Sequence, residues 1–204
     1  MNAPLSMFQY NQDAGIKAGV SDYITESGAY AGKLSTKWTK GKSPSLSEAL
    51  ELSLTAPEGK VNFLSVWYKK KDGTENASGV AMINAIMGIT QTRGLTLVKR
   101  GEDEICPELE GKDIGFVLQK TLQTKLGGGD TYKFEIRLPF HPQTKKTLKE
   151  LIDNQPATAV ATMLETLHDK DERNKSGNNH PYQPQGGSLP YNADEIDPFD
   201  KVNW

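Results

Sequence analysis

Apolar and polar residues alternate with period two in several stretches between Ser27 and Phe140, and turn residues separate them. Tyr30, Leu34 and Trp38 stand at even spacing in Ala29–Lys40, as on one face of a strand, and Ser43-Pro44-Ser45 breaks the run. Leu50, Leu52 and Leu54 alternate with Glu51, Ser53 and Thr55, a half-buried strand that ends at Pro57-Glu58-Gly59. Val61–Tyr68 follows at hairpin distance and stops at Lys69-Lys70-Lys71-Asp72-Gly73. If Leu64, Val66 and Tyr68 face the core, parity sends Phe63, Trp67 and Lys69 outward. By the same parity Trp38 lies on the face of Leu34 and points outward only across a bulge. The last two stretches, Ile114–Lys125 and Thr131–Phe140, flank the hairpin turn Gly127-Gly128-Gly129-Asp130. In the second of them Tyr132, Phe134, Ile136 and Leu138 are expected on one face, and Lys133, Glu135 and Arg137 on the other.

The helical period appears in three places. Val80, Ile83 and Met87, with Ser78 as N-cap and Gly88 as C-cap, space a short helix so apolar that it has to be covered. After Pro142, Leu148, Leu151 and Ile152 mark a second helix, and Val160, Met163, Leu164 and Leu167 a third, both packed on the body. Between Ile89 and Glu110 the pattern is weak, with strand character at Leu95–Lys99 and an acidic loop at Glu102-Asp103-Glu104. Three strands, a helix and two strands within Gly28–Pro142 is the order of the OB-fold, a five-stranded Greek-key barrel with one capping helix; other small barrels with one helix share that order. The expected fold is therefore mainly β. One domain spans residues 1–169, with its barrel core over about 27–142 and a helical extension over 143–169, and a flexible acidic tail follows over 170–204.

Charge sharpens this division. The 204 residues hold 24 Lys and Arg against 26 Asp and Glu, but residues 1–175 carry 23 basic and 22 acidic side chains and residues 176–204 one and four. That terminal segment is rich in Gly, Asn, Gln and Pro, and it buries too little apolar surface to offset its ordering entropy. Its end interleaves Asp194, Glu195, Asp197 and Asp200 with Ile196, Pro198, Phe199 and Trp204, large apolar groups suited to a groove on a partner protein. A single cysteine, Cys106, excludes an internal disulfide and a multi-thiolate zinc site. Without an 18-residue apolar run or a signal-peptide pattern, a soluble, cytoplasmic protein with no membrane partner is expected.

The chemistry-bearing feature is the coincidence of basic and aromatic residues on strands. Lys33, Lys37, Lys40 and Lys42 surround Trp38 with no acidic residue among them, and Phe63, Trp67 and Tyr68 run into Lys69, Lys70 and Lys71. From Lys112 to Lys149 eight basic residues, Lys120, Lys125, Lys133 and Arg137 among them, meet three acidic ones. Single-stranded nucleic acid needs this pairing, because aromatic faces stack on any base at roughly 1–3 kcal/mol each. Lysines supply salt-dependent affinity by releasing the counterions of the phosphates.

Ser27–Trp38 (SGAYAGKLSTKW), Leu109–Leu118 (LEGKDIGFVL) and Glu195–Trp204 (EIDPFDKVNW), in this order and with this split of charge, resemble the single-stranded DNA-binding proteins of bacteriophages. The body resemblance covers about residues 25–150. It implies an OB-fold body that coats and protects single strands during replication, recombination or repair of DNA in the host cytoplasm. It also implies an acidic tail that recruits replication or recombination proteins through Ile196, Pro198, Phe199 and Trp204. Asp197 between Ile196 and Pro198, and the continuation past Phe199, depart from the usual tip. No cofactor is implied.

Enzymatic readings have little to stand on. His141, His168 and His180 share no ligand spacing, Gly127-Gly128-Gly129 lacks the Lys-Ser/Thr of a phosphate-binding loop, and Asp113, Asp130 and Glu135 alternate with basic residues as solvated faces do. No catalytic or metal-binding residue is expected. The alternatives are a peptide-binding module and a metal-dependent DNA-processing enzyme on the same scaffold.

Overall fold

The computed structural model describes residues 9–12, 15, 22–125 and 127–173. The expected tail anchors, Asp194 to Trp204, lie outside the described residues. The body is mainly β, and no helix among the described residues is long and apolar enough to cross a membrane. Its elements are β1 (Gly28–Lys40), β2 (Glu48–Ala56), β3 (Gly59–Lys69), α1 (Ala77–Ile89), β4 (Val98–Arg100), β5 (Asp103–Ile105), β6 (Asp113–Thr124), β7 (Asp130–Phe140), α2 (Leu148–Ile152), α3 (Ala159–Thr166) and β8 (Lys170–Asp171). The five long strands are the five read from period two. The acidic loop expected at 102–104 is instead part of a small hairpin, β4–β5, that turns at Gly101.

The main sheet runs β3-β2-β1-β6-β7, antiparallel throughout, with β8 added in parallel to β6. It is not closed into a barrel, since no ladder joins β3 to β7, and this corrects the expected closure. α1 lies at that seam and contacts both strands. Its approach to β3 is close enough that a Cβ at Gly79 would run into the carbonyl of Trp67. The helix is half exposed rather than a buried plug: only Gly79, Ile86 and Ile89 are buried, and its flanking residues are Asn76 and Thr90, not Ser78 and Gly88.

Alternation places Leu34, Leu50, Leu52, Leu54, Leu64 and Val66 on the inner face, where they meet Ile86, Ile114, Phe116 and Leu118 in the main core. Three bulges interrupt it; in the first, Tyr68 is the extra residue between the Glu48–Lys69 and Ala49–Trp67 pairs. Ser53 opposes both Asn62 and Phe63, which brings Val61 and Leu64 alike to the core. In β7, Arg137 has no partner, so Leu138 and Phe140 change face and leave Phe134 and Ile136 behind. This corrects the single apolar face expected for Tyr132–Leu138. Leu138 and Phe140 instead join Val117 under Val160, Met163 and Leu167 in a second cluster, which α3 caps on the outer side.

Glu150 fixes the helical extension. It completes a capping box with Thr147, and its other oxygen accepts from the backbone N–H groups of Thr158 and Ala159, both at 2.8 Å. Burial alone would raise its pKa, but these donors hold it down to about 2. The chain then pairs with β6 as β8, beyond the point where β1 begins, and Arg173 pairs with Asp171 and Asp130. Residues 170–173 thus pack on the body.

Candidate nucleic-acid interface

The outer face of β1, β2 and β3 is built in rows. The ladders align Thr39, Ala49 and Trp67, then Lys37, Glu51 and Ser65, then Ser35 and Ser53 beside the bulge that carries Phe63. Along β3 this face therefore reads Phe63, Ser65, Trp67, about 6.8 Å apart at each step. Phe63 is 74% exposed and Trp67 41%. Phe63 also has a φ of 64°, in the left-handed region that a non-glycine residue occupies at a cost on the order of 1–3 kcal/mol. A strained, solvated phenyl ring adds nothing to the core.

The end of this face is basic. The β1–β2 loop and the β3–α1 turn meet there, where the backbone N–H of Leu46 donates to the carbonyl of Lys71 at 3.0 Å. Lys40 and Lys42 come from the first segment, Lys70 and Lys71 from the second. All four are exposed, and none makes an ion pair with a described residue. Asp72, in the same turn, is occupied by the backbone and hydroxyl of Thr74, which hold its pKa down.

Trp38 shares the inner face with Leu34, because no bulge interrupts β1 against β2 between Lys33 and Lys40. It is half-buried. Its Nε1–H donates to the Tyr68 hydroxyl at 2.7 Å, and that hydroxyl donates to Glu48 at 2.9 Å. Burial pushes Tyr68 up to about 12, with the Trp38 donor opposing and Glu48 adding to the rise. The Tyr68 hydroxyl, against the effect of burial, and Lys69 hold Glu48 below the usual carboxylate range. Tyr68 is thus half-buried at the edge of the core rather than inside it.

Of the other basic residues expected at the site, five are held by carboxylates. Lys33 pairs with Asp113 at 3.2 Å, Lys37 with Asp103 at 2.7 Å, Lys69 with Glu48 at 3.1 Å, Lys120 with Asp169 at 3.8 Å and Lys133 with Glu135 at 2.7 Å. The hydrogen bond from Asp103 raises the Lys37 pKa. Lys125 is exposed beyond β6, toward the end of the sheet where β1 begins, and Arg137 occupies the β7 bulge. The structure brings Lys40, Lys42, Lys69, Lys70 and Lys71 to one end of the sheet, with Trp67 and, farther along β3, Phe63 on its outer face and Trp38 and Tyr68 on its inner side. It does not bring Lys120, Lys125, Lys133 or Arg137 to them.

Tyr132 escaped the sequence reading. It is 43% exposed, meets Phe134 edge to face at 5.7 Å and lies under the Lys120 ammonium at 4.9 Å. Its parity suggested core, but β6 and β7 outrun β1, and past Leu118 no strand of β1 faces them. Among the histidines, His141 accepts from the backbone of Thr144 and His168 contacts the carbonyl of Thr166. A scan against protein-family models finds no match, and a search of curated proteins finds no similar sequence.

Proposed function

We propose that this protein binds single-stranded DNA across the outer face of β3 and the basic end beside it, largely without regard to sequence. The observation that carries the reading is the pair Phe63 and Trp67, exposed on one strand face beside four lysines that make no ion pair with a described residue. Bases stack on the rings and phosphates take the lysines, a combination that tolerates any base. The strand path supports an OB-type fold opened at one seam: joining β3 to β7 would give the Greek-key order, with the helix between its third and fourth long strands. In that fold the face of the second and third strands binds oligonucleotides. The resemblance to phage single-stranded DNA-binding proteins points to coating and protection of transient single strands, with the acidic tail recruiting replication or recombination partners.

The test is a titration of the full-length Trp204→Phe protein with oligo-dT at two salt concentrations, following tryptophan emission. Quenching that weakens as salt rises is the expected result. An emission unmoved at low salt, or an affinity indifferent to salt, would overturn the reading, because phosphate binding loses affinity with a log–log slope of about 0.7 for each neutralised phosphate of a single strand.

A further inference from the structure

Next to the basic end lies a cavity of about 260 Å³ that the β3 face does not use. Its walls are mostly apolar and include Trp38, Tyr68, Val80, Ile83, Leu95 and Leu97. The polar atoms of the two aromatic residues are engaged with each other and with Glu48. An apolar cavity of about 150 Å³ holds a benzene-sized ring, so this one has room for a single monocyclic or bicyclic base. Leu97, 50% exposed, stands at its mouth. A second depression of about 320 Å³ shares Trp38 with the first. Lys37, Lys40 and Lys99 line it together with Glu102, Asp103 and Glu104, so its charges balance.

We propose that the cavity takes one unstacked base of the bound strand, and that the backbone leaves past Lys40 through the second depression. The proposal rests on the single-stranded DNA reading and adds a site to it. A flat ring suits the occupant because Trp38 and Tyr68 offer aromatic carbon. Lys40, 5.5 Å from the centre of the Trp38 ring, stands where the next phosphate would emerge. Since the inserted base is uncharged and the cavity walls carry no charged side chain, insertion contributes affinity by stacking and burial rather than by counterion release. This part of the binding is therefore insensitive to salt, unlike the part due to Lys40, Lys42, Lys70 and Lys71.

The experiment measures anisotropy of labelled oligo-dT with the full chain, its Leu97→Trp variant, which fills the mouth, and Leu97→Ala, which leaves it open. Alongside, emission of the Trp67→Phe, Trp204→Phe protein reports Trp38 alone. Leu97→Trp is expected to weaken binding at least about fivefold, on the stacking scale of one base, with an unchanged salt slope. Leu97→Ala, which removes wall carbon without blocking the mouth, should lose less affinity than Leu97→Trp, and Trp38 emission should be quenched by the oligonucleotide. If the parent binds while Leu97→Trp binds equally well and Trp38 emission stays constant, the cavity lies outside the footprint and this proposal fails while the β3 reading stands. Equal losses in both Leu97 variants, or a changed slope, would also overturn it. If the parent does not bind at low salt, the β3 reading fails and this one with it.

Discussion

The outer face of the sheet has two halves with similar residues and opposite fates. Over β6, β7 and the start of β1 it is covered: α3 caps Val117, Leu138 and Phe140, and Lys133 finds Glu135. Over β2, β3 and the end of β1 it is bare, with Phe63 and Trp67 in solvent and the loop lysines unpaired among the described residues. The contrast teaches that local charge in a sequence does not locate a charged surface. Lys112–Lys149 carries eight basic residues against three acidic ones, yet carboxylates hold Lys120, Lys133 and Lys149, and the other five are spread from Lys112 to Lys146. The basic end is assembled instead from two loops about thirty residues apart, each with only two of its lysines.

On the proposed reading, binding belongs to the bare half and stability to the covered half. The largest effect expected is on the bare half: Phe63→Ala combined with Trp67→Ala should lower affinity for oligo-dT at least about thirtyfold, at roughly 1–3 kcal/mol for each lost stacking platform. Calorimetry should find the melting temperature nearly unchanged; an unfolded protein would move these rings into the core. On the covered half, Glu150→Gln sets an amide against a group of N–H and O–H donors and should cost about 2 kcal/mol of stability with DNA affinity intact. Because the folded pKa of Glu150 is depressed, its contribution is complete above the unfolded value near pH 4.3 and is lost as pH falls through about 2. Urea midpoints of the two proteins should therefore differ at pH 7 and draw together toward pH 3. A constant gap would mean that the carboxylate charge is not what α2 and α3 share.

A subtler variant separates the two roles at one residue. Phe63→Gly removes the ring but relieves the left-handed backbone, so stability should rise by about 1 kcal/mol while affinity falls. A loss of both would show that the ring packs. The smallest effect concerns slope rather than strength. Lys70→Ala with Lys71→Ala should flatten the salt dependence by about 0.7 for each lysine, whereas Lys120→Ala with Lys133→Ala should leave it within error. Equal slopes for the two pairs would erase the distinction between the halves.

Much of this arrangement was legible in the chain. Even spacing in Ala29–Lys40, Leu50–Leu54 and Val61–Tyr68, and the glycine turn before Asp130, located the long strands because period two follows from the pleat itself. The outward direction of Trp67 followed from the same parity. What parity could not supply were the bulges at Phe63 and Arg137, since an extra residue is chosen by how two strands twist against each other. Nor could it supply Tyr132, exposed because a partner strand ends, or the open seam between β3 and β7.

The sequence by itself determined the mainly β class, the strand positions, the helical extension and which residue types could meet a nucleic acid, because these depend on neighbours a few positions away. The tertiary structure alone decided which of them remain available. Asp113, Asp169 and Glu48 reach Lys33, Lys120 and Lys69 from distant parts of the chain, and whether a lysine is free or paired, or a ring bare or covered, depends on distances that only folding sets.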